Sequence, residues 1–101
     1  MDKVYSMLGL GIKARSLRPG ETACKEAIKK RKCNCVIIAE DASFNTKKKF
    51  KNLCDNYDIE CLVFGNKYKL GNSIGKGVIS SIAVCDYNLG KAIKDLIKYH
   101  L

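Results

Sequence analysis

The residues of this chain best suited to chemistry are cations concentrated in one segment. Residues 13–32 contain eight Lys or Arg side chains and only two acids. The eight cations are Lys13, Arg15, Arg18, Lys25, Lys29, Lys30, Arg31 and Lys32. Cations at this density attract the phosphates of a polynucleotide and release the counterions bound to them. The segment therefore predicts a binding site for a phosphate backbone.

The charge of the whole chain has the same bias. Nineteen Lys or Arg against ten Asp or Glu give a net charge of +9 and an isoelectric point of about 9.4. Residues 1–51 carry +8 of this charge, and residues 52–101 carry +1. A lysine-rich surface can also serve solubility alone, but such surfaces usually intersperse both signs. The uneven distribution favours a nucleic-acid partner.

Two glycine-containing segments are similar to nucleotide-binding motifs but lack their decisive features. Residues 71–76 place three residues between two glycines where a P-loop has four, and Gly77 stands where that motif has Ser or Thr. Gly9 and Gly11 follow a segment too short for the strand that a dinucleotide fingerprint requires. We expect no nucleotide site at either place. The two glycines near the N-terminus are expected to permit close packing of a helix.

The six cysteines and the single histidine form no recognisable metal or nucleophile motif. No two cysteines have the C-x-x-C spacing, and His100 stands one residue from the end. Several cysteines occupy apolar positions of helix or strand patterns, so they are interpreted as small core side chains in a reducing compartment. Glu40 and Asp41 precede a predicted helix, whose dipole favours acids there. The sequence predicts no metal, no cofactor and no enzymatic activity.

Alternating helices and strands within one domain, residues 1–101, must position the cationic segment. Hydrophobic periodicity predicts helices over residues 2–14, 20–32, 45–57, 67–75 and 88–97. It predicts strands over residues 16–18, 35–39, 59–64 and 78–84. Asn45 or Thr46 is expected to cap the third helix, and Asn88 the last. This order predicts an α/β fold, a three-layer α/β/α sandwich with a small mixed, mostly parallel four-stranded sheet.

The start of the second helix is the predicted anion site. Its first backbone N–H groups, near Gly20 and Thr22, have no partner within the helix, and the helix dipole favours negative charge there. The nearby cations Lys13, Arg15, Arg18 and Lys25 are expected to crowd the same end of the domain. RNA fits better than duplex DNA, because no helix carries Arg, Asn or Gln along one face for reading the major groove.

Three segments of the chain resemble the ribosomal protein L7Ae family, in particular its small bacterial YlxQ-type members. Residues 36–43, followed by residues 45–49, resemble the family signature, and residues 65–76 are similar to a second conserved segment. A weaker match joins residues 18–21 to residues 25–28. The resemblance covers nearly the whole chain in the family's order. It implies an α/β/α sandwich that binds structured RNA, typically kink-turns, often within the ribosome.

The chain departs from the family where kink-turn readers carry a Gly-Ala-Asn-Glu-x-x-Lys motif at the start of the second helix. The motif's Asn, Glu and Lys positions are Thr22, Ala23 and Glu26 here, and only Gly20 matches. The family's other RNA-facing loop corresponds to residues 85–88. There, Tyr87 either stacks on a flipped base or covers the edge of the sheet.

The sequence as a whole predicts a non-enzymatic protein that binds structured RNA. The predicted RNA-binding residues are Lys13, Arg15, Arg18, Gly20, Glu21, Thr22, Lys25, Cys85, Asp86 and Tyr87. Ribosomal RNA or the ribosome is the expected partner, in the cytoplasm, with no DNA. No membrane contact is expected, because the longest apolar run is residues 35–39 and no secretory signal is present. Two alternatives stay open: a protein-interaction domain that lost RNA readout, and an accessory RNA-binding subunit of an RNA-modifying enzyme.

Overall fold

The computed structural model describes residues 2–99 and the side chains of residues 3–99, in which helices and strands alternate. The helices are α1 (Asp2–Lys13), α2 (Glu21–Lys29), α3 (Phe44–Asn56), α4 (Lys67–Ser73) and α5 (Tyr87–Tyr99). The strands are β1 (Leu17–Pro19), β2 (Cys35–Ile38), β3 (Glu60–Val63) and β4 (Ser81–Val84). None of these helices has the length and hydropathy needed to cross a bilayer. His100 lies outside the described residues.

The four strands form one mixed sheet in the order β1-β4-β2-β3. β2 and β3 are parallel, whereas β4 is antiparallel to both of its neighbours. The predicted mixed sheet is confirmed, and three of its four strands run in one direction. Only one adjacent pair is parallel, however, because the chain re-enters the sheet at the edge where it left. Ala39 N donates to Ser80 O (2.9 Å), so β4 begins where β2 ends and runs back alongside it. Its other neighbour in the sheet is β1.

Helices cover both faces of the sheet, which confirms the predicted three-layer sandwich. α1, α4 and α5 pack on one face and α2 and α3 on the other. The side chains of β2 belong alternately to the two cores. Cys35 and Ile37 pack in the core beneath α1, α4 and α5, and Val36 and Ile38 pack in the core beneath α2 and α3. All four are completely buried. The continuous apolar run of β2 is therefore that of a strand covered on both sides.

The observed ends of the elements differ from the predicted ones by up to three residues, and α2 ends at Lys29 instead of residue 32. Ser43 caps α3 by accepting from Thr46 N (3.1 Å), and Asp86 caps α5 by accepting from Leu89 N (2.7 Å). In both cases the cap lies two or three residues before the residue that we predicted, because several capping side chains stand close together in the sequence. β4 begins at Ser81, and Val78 lies in the preceding loop with 53% of its surface exposed.

Glycines and cysteines of the core behave as the sequence predicts. A Cβ on Gly11 would lie 2.7 Å from Leu89 Cδ2, so this glycine lets α1 approach α5. Gly71 belongs to α4, which excludes a P-loop at residues 71–76. Cys24, Cys35 and Cys54 are fully buried, and burial raises the pKa of Cys24 and of Cys35 to about 12. Among the described side chains, no group of three metal-ligating residues comes together.

The loop that joins α4 to β4 packs tightly against α4, which gives a test of the fold. A Cβ on Gly71 would overlap the Gly77 carbonyl group, whose carbon would lie 2.8 Å away. We expect Gly71→Ala to lower the free energy of unfolding by about 1–3 kcal/mol, because backbone must move to admit the methyl group. Urea denaturation measures this change.

Gly77→Ala is the matched control, because no atom lies within 4 Å of its Cβ position. Its free energy of unfolding should stay within about 1 kcal/mol of the original. Equal destabilisation by the two substitutions would contradict this packing.

Candidate nucleic-acid interface

The start of α2 has no side-chain cap. Gly20 occupies the N-cap position with φ +95°, a conformation that favours glycine. Because glycine has no side chain, nothing at this position accepts a hydrogen bond from the first turn of the helix. The helices α3, α4 and α5 begin differently, with Ser43, Asn66 and Asp86 accepting from first-turn N–H groups. The first-turn N–H groups of α2 are therefore left for solvent or an anion, at the positive end of the helix dipole.

Hydrogen bonds to β4 fix this helix start at one end of the sheet. Gly20 N donates to Ser81 O (2.8 Å) at the beginning of β4, and Cys85 N donates to Ser16 O (2.7 Å) just beyond its end. The short strand β1 lies between these two bonds. α2 then runs back beside β1, so that its C-terminal residues approach the end marked by Cys85.

A groove of about 940 Å³, here called the β1–α2 groove, opens along this pair of elements. Its lining contains six of the ten predicted residues: Arg15, Arg18, Gly20, Glu21, Thr22 and Cys85. It also contains two cations that the sequence analysis did not select, Lys30 and Lys32. The expected crowding of cations at the start of α2 is wrong for Arg15, which lies near Cys85 at the other end. Arg18 and Lys32 act on the Cys85 thiol and therefore lie toward the same end, whereas Glu21 is the charged lining residue in the first turn of α2.

Most cations near the β1–α2 groove carry uncompensated charge. Among the described side chains, Lys13, Arg15, Arg18 and Lys32 form no ion pair with a carboxylate. Arg18 Nη1 donates to the carbonyl oxygens of Arg15 and Leu17, both at 2.9 Å. These bonds orient the guanidinium group without neutralising it. Lys30 differs, because it pairs with Glu26 at 3.0 Å.

Glu21 is the centre of a three-residue ion cluster at the start of α2. Its Oε2 atom lies 2.9 Å from Lys49 Nζ on α3 and 3.0 Å from Lys25 Nζ on α2. The hydrogen bonds from Lys49 and Lys25 lower the pKa of Glu21, and the bond to Glu21 raises the pKa of Lys49. The cluster keeps a net charge of +1 and holds both ammonium groups in place.

The remaining predicted residues have separate positions. Lys13 is exposed at the end of α1 and does not line the groove. Asp86 caps α5, so its carboxylate has a structural partner. Tyr87 is 68% exposed and therefore does not cover the sheet edge. Burial raises the pKa of Cys85 although Arg18 and Lys32 oppose the shift, which keeps its thiol neutral at physiological pH.

Two exposed apolar residues lie at the sheet edge where α2 begins, and the sequence analysis missed both. β1, β2 and β3 end at this edge, so the first turns of α2 and α3 and the α4–β4 loop share it. Phe44, the first residue of α3, is 76% exposed, and Val78 in the loop is 53% exposed. Exposed apolar groups beside an anion site suit contact with bases. An aromatic residue directly after a helix cap was the available signal for Phe44.

Comparison with known proteins places this geometry in a family. Residues 2–94 match the model of the ribosomal protein L7Ae/L30e/S12e/Gadd45 family. The RNA-binding protein YlxQ of Bacillus subtilis (strain 168) is 31% identical over 93 residues, 92% of this chain and 93% of that protein. The protein of the same name from Enterococcus faecium is 31% identical over 97 residues, 96% of this chain and 93% of that protein. The chain belongs to the ribosomal protein L7Ae/L30e/S12e/Gadd45 family.

Solved structures of similar proteins agree with this family fold. A protein with unknown function from Bacillus halodurans superposes with a TM-score of 0.92 at 36% identity, covering 96% of this chain and 98% of the other. The Giardia lamblia 15.5 kD RNA binding protein superposes with a TM-score of 0.78 at 15% identity, covering 96% and 86%. The second likeness concerns the fold alone.

The ion cluster at Glu21 gives a prediction for the pH dependence of the free protein. We expect Lys49→Gln to raise the pKa of Glu21 toward its ordinary value, because its strongest hydrogen bond is lost. In the original protein the lowered pKa stabilises the fold above the unfolded-state pKa, and this contribution disappears as the pH falls through the folded-state pKa. Carbon-13 NMR of the carboxyl group measures the titration.

Lys51→Gln is the control on the same helix, since Lys51 pairs with Asp55 (3.4 Å) and not with Glu21. It should leave the Glu21 titration unchanged. A Glu21 midpoint unaffected by Lys49→Gln would show that the cluster does not persist in solution.

Proposed function

We propose that this protein binds structured RNA, with phosphates held at the start of α2 and along the β1–α2 groove. The observation that carries the proposal is the uncapped α2 N-terminus at Gly20, which opens onto a groove lined by Arg15, Arg18 and Lys32. A phosphate at the first turn of α2 meets backbone N–H groups and the helix dipole, and phosphates farther along the groove meet Arg15, Arg18 and Lys32. The neighbouring relatives carry the name RNA-binding protein, which supports RNA as the polynucleotide.

Recognition of bases is proposed for the exposed apolar and aromatic side chains at the two ends of the groove. Phe44 and Val78 lie at the same edge of the sheet as the start of α2, and Tyr87 follows Cys85 at the opposite end. Such side chains stack on bases that are splayed out of a helix, as in loops and bulges of RNA. This arrangement favours a structured RNA with unpaired bases over a regular duplex.

Kink-turn recognition would need contacts different from those of the family motif. Glu26 stands at the motif's Lys position and pairs with Lys30 at 3.0 Å. Thr22 at the Asn position lines the groove and is exposed, so its hydroxyl group can donate to RNA. We propose ribosomal RNA or another structured RNA in the cytoplasm as the partner, with the kink-turn as one candidate.

Binding without catalysis is part of the proposal. Cys85 is the thiol that lines the β1–α2 groove, and its raised pKa keeps it poorly reactive. Glu21 and Glu26 are occupied by lysines, and Asp86 is occupied by the first turn of α5. These acids are better suited to holding the framework than to moving protons.

A carboxylate placed at the start of α2 tests the proposed phosphate site. Thr22→Asp puts a negative charge in the first turn, where it stabilises the helix dipole but repels phosphate. We expect unchanged or slightly higher thermal stability and about tenfold weaker binding, a change of roughly 1.4 kcal/mol. Fluorescence anisotropy with a fluorescein-labelled RNA hairpin that contains a kink-turn measures the affinity.

Salt dependence and a matched variant complete this test. For the original protein, log Kd against log salt should change with a slope of about 3–5 in magnitude, as four to six phosphate contacts require. Ser6→Asp makes the same hydroxyl-to-carboxylate change on exposed α1, in the other helical layer, and should bind normally. Equal loss in both variants, or an affinity insensitive to salt, would refute the proposed site.

Tyr87 allows a separate test of base stacking. Tyr87→Ala should weaken binding of the same RNA hairpin by about 1–3 kcal/mol, the usual value of one aromatic–base stack. Tyr87→Phe keeps the ring and should bind within about twofold of the original protein. If the two variants bind equally well, the ring does not stack on a base.

A further inference from the structure

A second groove lies on the other side of α2, between α2 and α3. It has a volume of about 350 Å³ and is here called the α2–α3 groove. Its lining residues are Lys25, Lys29, Lys49, Asn52, Leu53 and Asn56. The lysines on α2 are four residues apart, and those α3 residues recur at three- and four-residue spacing, so each set occupies one flank of its helix. α2 is thus bordered by two grooves.

The charge of the α2–α3 groove is positive and largely uncompensated. Glu21 lies at one end and shares its carboxylate between Lys25 and Lys49. Lys29 forms no ion pair with any described carboxylate, and the side-chain amides of Asn52 and Asn56 have no hydrogen-bond partner among the described residues. Each ammonium group has three donors, so Lys25 and Lys49 can hold Glu21 and a phosphate at the same time.

These side chains suit a polynucleotide backbone better than a protein surface. Lysine and asparagine are residues that commonly bind phosphate and sugar oxygens without reading sequence. Protein interfaces centre on apolar and aromatic groups, whereas Leu53, which is half-buried, is the only large apolar side chain among the described residues that line this groove. The groove is also long enough for a short stretch of one RNA strand, because the segment from Lys49 to Asn56 spans about 10 Å along α3. One strand of a duplex carries one negative charge per nucleotide, so a groove of this length can contact only a few consecutive phosphates.

The two grooves meet at the start of α2. Glu21 lines the β1–α2 groove, and its partners Lys25 and Lys49 line the α2–α3 groove. An RNA held by the first turn of α2 therefore has a continuous positive path past Glu21 and down between the helices. We propose that the α2–α3 groove is a second, sequence-independent RNA site that binds the phosphate backbone of a stem extending from the primary site. This inference rests on the proposed function.

Two labelled hairpins that differ in stem length separate the two sites. The short RNA contains a kink-turn with minimal stems, and the long RNA extends one stem by eight base pairs. The original protein should bind the long RNA about tenfold more tightly, with a salt slope larger in magnitude by about two. The variant Asn52→Asp with Asn56→Asp places two carboxylates in the groove and removes no lysine and no ion pair.

This double variant should lose the whole tenfold advantage on the long RNA and bind the short RNA within about twofold of the original protein. The single variant Lys29→Gln should lower the magnitude of the salt slope on the long RNA by about one. Ser6→Asp combined with Asn72→Asp adds the same two charges to exposed positions of α1 and α4 and should retain the advantage. Circular dichroism melting checks that all variants fold alike.

The outcomes distinguish this inference from the proposed function. If the double variant keeps the full advantage of the long RNA, or loses affinity equally for both RNAs, the second site is refuted while RNA binding stands. If the original protein binds neither RNA, the proposed function fails and this inference fails with it. Displacement of the extended stem by poly-L-glutamate at equal charge concentration would assign the groove to an acidic polypeptide and would also refute the RNA site.

Discussion

The pairing of β1 with β4 is the interaction on which the rest of the structure depends. β4 runs between β1 and β2, antiparallel to both, and its first and last residues are next to the two ends of β1. The hydrogen bond from Gly20 to Ser81 therefore fixes the point where α2 begins, and the bond from Cys85 to Ser16 fixes where the groove ends. A glycine at φ +95° makes the reversal into α2 possible, and it leaves the helix without a side-chain cap. The topology of the sheet thus creates both the exposed N–H groups and the groove beside them.

Local patterns were sufficient for most of the fold. The β-branched run of β2 predicted a strand buried on both faces, and the apolar positions of α5 predicted the clearest amphipathic helix, because both signals come from residues near each other in sequence. The order of the strands and the direction of β4 have no such local signal. Both depend on the end of the sheet to which α4 leads the chain back, and tertiary packing alone decides which end that is. Helix caps were also imprecise, since Ser43 and Asp86 compete with neighbouring residues of the same capping ability.

The parts of the candidate site that come from one segment of the sequence were predictable. The parts that form where two distant segments pack together were not. Gly20 and Thr22 could be chosen because a proline–glycine pair before a helical pattern marks a helix start. Lys32 was not chosen, because it reaches the groove only when α2 folds back along β1. The pairing of Glu21 with Lys49 is equally invisible in sequence, since the two residues are 28 positions apart. Composition showed that the first half of the chain carries the excess positive charge. The division of that charge between two grooves depends on the packing of α2 against α3, which composition does not show.

Carboxylates within the basic surface order its cations more than they neutralise them. Glu21 holds two lysines and leaves a net charge of +1, so the cluster still attracts phosphate while its ammonium groups are already positioned. Long lysine side chains lose considerable rotamer freedom when they are fixed, so part of this loss occurs before the ligand arrives. α2 itself is immobilised by Cys24, Ala27 and Ile28, which are buried against the sheet. A rigid helix with one buried face has two free flanks, and in this protein a groove lined by cations lies along each of them.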